Sequence, residues 1–139
     1  MIEITLPFPP SVNACLKPSR GRLVHTDKAR EYKRACRLLL KRTPEARIEG
    51  EVFVLFNFYM PDRRQRDINN YYKLVCDVLT DQNVIEDDSL IMHEFGSNCG
   101  VEKPGRVDIK ILSLDKVAID LVISEKGTSN IIPFPLIDE

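Results

Sequence analysis

The stretch PDRRQRDINNYYK sets three arginines, Arg63, Arg64 and Arg66, directly before an aspartate, Asp67, and reaches Lys73 almost two helical turns later. Beyond a turn-like DQN, the acids Glu86, Asp87 and Asp88 follow in a row. Hydrolysis of a phosphodiester by water needs a hard cation to neutralise developing charge and activate the nucleophile, and Asp or Glu oxygens hold magnesium for that purpose. Two carboxylates ~4 Å apart repel by about 4 kcal/mol at an effective dielectric near 20, so if Asp67 and Asp88 converge a bound metal is the simplest remedy. Arginines ahead of a helix start lie where backbone N–H groups and the helix dipole already favour an anion. A lysine beside them suits charge developing on a phosphoryl group. Taken singly, the same residues have plainer readings: Asp67 as a helix cap, Glu86 to Asp88 as a solvated turn, the arginines as polar surface.

The elements that would position these groups follow from periodicity. Ile2, Ile4 and Leu6 alternate with Glu3 and Thr5, which predicts a first strand stopped by Pro7, Pro9 and Pro10, then a loop to about residue 26. Asp27 is the expected cap of a basic amphipathic helix in which Ala29, Tyr32, Cys36 and Leu39 recur on one side, ending before Pro44. The run VFVLFNFY, Val52 to Tyr59, is apolar on both parities and predicts a central strand covered on both sides. Asp67 caps a second expected helix to about Thr80, with Ile68, Tyr71 or Tyr72, Val75 and Val78 or Leu79 on one side and Asn70, Lys73 and Asp77 on another. Strands are expected from Ser89 to about Phe95 and from Arg106 to Leu112, with GSNCGVEKPG between them as a loop. His93 reads as a cross-strand contact, His25 as a loop residue, and the tyrosines as helix core with one of them free to face outward.

A chain of 139 residues, 43% hydrophobic and 29% charged, has the balance of one soluble α/β (α+β) domain: a mixed β-sheet with two main helices packed on it. No apolar run approaches a membrane span, and MIEITLPFPP does not read as a secretory signal, so a cytoplasmic location is expected. Cys15, Cys36, Cys76 and Cys99 lie far apart without a CxxC pair and read as reduced thiols, with Cys76 in the core. The net charge of -1 conceals a division: residues 1–66 hold 14 Lys and Arg against 7 acids, and residues 67–139 hold 6 against 14. A basic half can bind phosphates while an acidic half gathers metal, and solvated faces give the same pattern.

Three segments, LPFPPSVN, MPDRRQRDINNYYKLVCDVLTD and VIEDDSLI, resemble in order and spacing the RusA family of Holliday-junction resolvases, over most of the chain to about residue 112. The resemblance implies a homodimeric α/β nuclease that cuts four-way DNA junctions with magnesium, or manganese in its place. By the same resemblance Asp67, Lys73 and Asp88 are catalytic. Asp67, Asn69, Asp87 and Asp88 hold metal, and Asn13, Arg63, Arg64, Arg66 and Asn70 contact DNA. Asp77 matches a further helix aspartate without an assigned role. Residues 1–112 are then the nuclease core and 113–139 a C-terminal extension docked on the same domain. The resemblance departs at residue 69, where the family pattern has aspartate: Asn69 still offers a carbonyl oxygen but no formal charge, which lowers metal affinity or rate unless Glu86 or another acid compensates. The leading expectation is a structure-selective endonuclease of recombination and repair. Its rivals are a junction-binding protein with weak or no cleavage and a small protein-interaction subunit using the apolar tail.

Overall fold

In the computed structural model, which describes residues 1–41 and 47–132, the alternating start of the chain forms β1 (Ile2–Pro7). The following segment is structured, where a loop was expected. One helical turn, α1 (Val12–Cys15), leads into a hairpin of β2 (Leu16–Ser19) and β3 (Arg22–His25). Its two central residues, Arg20 and Gly21, have φ of 50° and 75°, the positive values that a two-residue hairpin turn requires. An Arg-Gly pair signals such a turn less plainly than Asn-Gly, and His25 accordingly lies in a strand rather than a loop.

The basic helix is α2 (Asp27–Lys41), with Ala29, Tyr32 and Cys36 buried as their spacing predicts. Leu39 is exposed. The cap is Thr26 and not Asp27: the Thr26 hydroxyl accepts the Ala29 N–H at 3.3 Å while donating to the Ala14 carbonyl. Asp27 bonds Arg30 one turn on. The expected stop before Pro44 lies outside the described residues. Next come β4 (Val52–Met60), a 3₁₀ turn at Ile68–Tyr71, α3 (Tyr72–Asp81), a second 3₁₀ turn at Asp88–Leu90, β5 (Ile91–Val101) and β6 (Arg106–Ser113). The second helix therefore opens with a tighter turn than expected. The strand after the acids also runs on through GSNCGV, because parallel pairing with β4 as far as Met60 and Val101 holds that glycine-containing stretch extended.

The principal sheet has the order β1-β6-β4-β5, antiparallel except for the β4–β5 pair. A parallel pair needs a crossover, and α3 is that crossover. Val52, Val54, Phe56, Phe58 and Met60 face one core with Val107, Ile109, Ile111, the buried side of α2, and Val75, Val78 and Leu79 of α3. Each such side chain contributes about 1.5–3 kcal/mol by leaving water. The odd-numbered side chains of β4 are half-buried, so the sheet is covered on one face rather than both. After β6, the short strands β7 (Ile123–Ser124) and β8 (Ile131–Ile132) pair with each other, and their residues are exposed. No helix among the described residues is long and apolar enough to cross a membrane.

Candidate active site

The segment from the end of β4 to the start of β5 carries nearly all the residues singled out for chemistry. Asp67 caps the 3₁₀ turn, its Oδ1 accepting the Asn69 N–H at 3.1 Å while its carbonyl accepts from Asn70. One amide at the start of this turn is thus satisfied by the chain's own carboxylate, which takes the place expected for a phosphate. Asn69, Tyr72, Lys73 and Cys76 recur at intervals of three or four and line one wall of an open groove of about 610 Å³; Asp88, Ile91, Met92 and Glu94 line the rest. The groove lies between α3 and the edge strand β5.

Lys73 is the electrostatic centre of this groove. Its ammonium lies 2.9 Å from Asp77 Oδ1 and 3.0 Å from Asp88 Oδ2. Hydrogen bonds to Asp77 and then Asp88 hold its pKa well above the ordinary lysine value, so the group is a fixed cation and not a base. Reciprocally, the hydrogen bond from Lys73, followed by an interaction with the neighbouring Asp87 carboxyl, holds Asp88 below the usual carboxylate range. Asp87 in turn accepts the Ser89 N–H at 3.3 Å and caps the second 3₁₀ turn. Burial first, then electrostatic interaction with Glu94, Cys76 and Asp67, raises the Tyr72 phenol.

Several residues take other tasks. Glu86 accepts the Gly50 N–H at 2.8 Å, so its carboxylate is committed to the start of β4 and does not line the groove. Arg66 forms a two-pronged pair with Asp62, with its second bond at 3.0 Å, and its guanidinium lies 5.7 Å from the Phe8 ring centroid. It is largely buried, which makes it a brace for the loop. Arg63 and Arg64 are exposed on that loop, and Arg64 lines a neighbouring depression with Ser11 and Lys28. Asn13 is exposed on α1. Asp67 is not among the residues lining the groove that holds Asp88. Tyr71 is core, 4.9 Å from Phe8, whereas Tyr72 packs on Phe56 at 5.1 Å and still reaches the groove. His93 meets Phe53 across the strands at 6.4 Å.

Among the described residues no three carboxylate, imidazole or thiol side chains are gathered into a ready cation cage. Magnesium does not demand one, since it keeps several waters and binds through one or two carboxylates plus substrate phosphates. The groove's donors from Asp88, Glu94 and Asn69 are oxygens, and Asp88 already holds a cationic group. These oxygens suit a hard divalent ion. Glu94 carries no signal in the sequence, since on a regular strand it would point away from Ile91's side.

Residues 7–112 match the family model described as endodeoxyribonuclease RusA. The chain is 30% identical, over 113 residues, to the crossover junction endodeoxyribonuclease RusA of Escherichia coli strain K12. Proteins of the same name from Shigella sonnei strain Ss046 and Enterobacteria phage 82 match at the same level. In each case the match covers 81% of this chain and 94% of the relative.

Proposed function

Because the chain belongs to the RusA family of endodeoxyribonucleases, we propose that it is a magnesium-dependent endodeoxyribonuclease that resolves Holliday junctions in recombination and repair. The observation that carries this reading is Lys73: a charged ammonium held between Asp77 and Asp88 in a groove that also holds Asn69 and Glu94.

A bound magnesium ion would supply charge neutralisation at the scissile phosphate and a more acidic attacking water. Asp88 and Asn69, which line the groove, would hold it, with Asp87 beside Asp88 and Asp67 approaching from the start of the helix outside the groove's lining. Lys73 donates hydrogen bonds to the phosphate oxygens, where a fixed cation in a groove counts most as charge develops. Asp77 keeps that ammonium in place along the helix. Arg63 and Arg64 are exposed on the loop at the end of β4 and follow the DNA backbone, while Arg66 holds the loop through Asp62; Asn13 and Asn70 contact the strand as it passes. The protein acts as a homodimer with two such grooves, one for each strand cut. The uncovered face of the sheet, with Phe95 54% exposed beside half-buried Leu55, offers apolar surface of the kind a dimer would bury.

Asn69 in the groove favours a second reading, a junction binder with slow or absent turnover. Purified protein incubated with a four-way junction and magnesium or manganese separates the two. The enzyme reading expects metal-dependent paired nicks; intact junctions, with cutting restored by Asn69→Asp, would favour the binder. Absence of branched-DNA binding by both forms, or affinity that does not fall steeply as salt rises, would remove both.

A further inference from the structure

In the parallel pair of β4 and β5, Val52 is opposite Ile91, but Phe53 is opposite His93 and Val54 is opposite Glu94. One residue, Met92, is inserted into β5 at this point. Side chains on a regular strand alternate, so residues 91 and 94 should emerge on opposite faces. The insertion resets the parity. Ile91 and Glu94 both accompany the core-facing residues Val52 and Val54, toward α3, and a bulge is a recognised means of re-aiming one side chain beside a functional site. Glu94 consequently joins Asn69, Lys73 and Asp88 in one groove.

Two further observations define what Glu94 does there. Among the described residues its carboxylate has no hydrogen bond or ion pair, whereas Asp88 and Asp77 are engaged by Lys73, Asp67 by the Asn69 amide, and Glu86 by Gly50. In the same groove, Asn69 presents a side-chain amide that has oxygen but no charge. Two residues on, Gly96 leaves the strand bare where the Tyr72 hydroxyl comes down on it, so that a Cβ there would overlap the phenol. Tyr72 therefore bridges from α3 to β5 beside Glu94 in this groove.

We propose that Glu94, turned into the groove by the bulge at Met92, is a ligand of the divalent cation and supplies from the strand the negative charge that Asn69 does not supply from the helix. This rests on the reading of the groove as a metal-dependent nuclease site. It makes the cation a bridge between β5 and α3. A carboxylate on a strand is held more rigidly than one on a loop, which suits a ligand that must keep its place while DNA enters and leaves.

The test measures Mn²⁺ binding to the whole protein by electron paramagnetic resonance, without DNA and independently of cleavage. Glu94→Gln is nearly isosteric at an exposed position, and its melting temperature should match the wild type. Its affinity for Mn²⁺ should be weaker by at least about tenfold, the lower end of what is lost when even an indirect metal contact is removed. Adding Asn69→Asp to Glu94→Gln should return most of that affinity. Equal Mn²⁺ binding by wild type and Glu94→Gln would overturn the role of Glu94 while leaving the metal-dependent reading intact. A loss that Asn69→Asp does not restore would overturn the exchange of one acid for the other. Wild-type protein that binds no Mn²⁺ would bring down the metal-site reading itself, and this inference with it.

Discussion

Replacing Lys73 by methionine separates the structural from the chemical work of the groove. The substitution keeps the aliphatic stem and deletes an ammonium that touches Asp77 at 2.9 Å and Asp88 at 3.0 Å. The lysine side chain is 63% exposed, so water screens both pairs and each contributes only about 0–1 kcal/mol to folding. The two acids, no more than about 6 Å apart because both reach one nitrogen, then repel by ~1 kcal/mol at a water-like dielectric. Stability should therefore fall by roughly 1–2 kcal/mol, a few degrees in melting temperature for a chain of this size. Cleavage should fall far more, about 100- to 1000-fold, the usual cost of deleting one donor aimed at charge that develops in the transition state. The assay is single-turnover cutting of a four-way junction at saturating protein, with binding and thermal unfolding followed in parallel. A rate within about threefold of wild type, less than 1 kcal/mol of barrier, would show that Lys73 only pins two acids together and would refute the reasoning.

Two other outcomes follow from packing. Gly96→Ala places a methyl group over the Tyr72 hydroxyl and 2.5 Å from Cζ, and the ring cannot slide away because it packs on Phe56 and Phe58 at 5.1 and 5.5 Å. A loss of about 1–3 kcal/mol in thermal or denaturant unfolding is expected, and an unchanged melting curve would contradict the contact. Of the four thiols, Cys99 is exposed while Cys15, Cys36 and Cys76 are buried; burial pushes Cys36 up to about 11 and Cys76 up to about 12. Since the thiolate is the reactive form, a thiol reagent near about pH 8 should label Cys99 rapidly and the others only after unfolding. Fast modification of Cys36 or Cys76 in the native protein would show the core to be looser than described.

What could be read without coordinates was whatever depends on neighbours in the chain. The alternation of Ile2, Ile4 and Leu6 marks β1, the spacing of Ala29, Tyr32 and Cys36 marks the buried side of α2, and Asp67 is a cap because a carboxylate two residues ahead of an amide can reach it. The order of the arginines, Asp67, Lys73 and the acidic run was equally visible, and with it the family. Local periodicity says nothing, however, of which strand lies beside which helix. The two-residue turn at Arg20 and Gly21, the transfer of the α2 cap from Asp27 to Thr26 and the only half-buried outer face of β4 depend on backbone conformation and on contacts between distant segments. The same applies to the acids. Glu86 read as a fourth candidate and is spent on Gly50, Arg66 read as a DNA contact and is paired with Asp62, and Glu94 had no signal at all. A bulge shifts side-chain parity by one without altering the residues around it, so which face Glu94 takes was decided by the register of β5 against β4, and that register exists only once the sheet has formed.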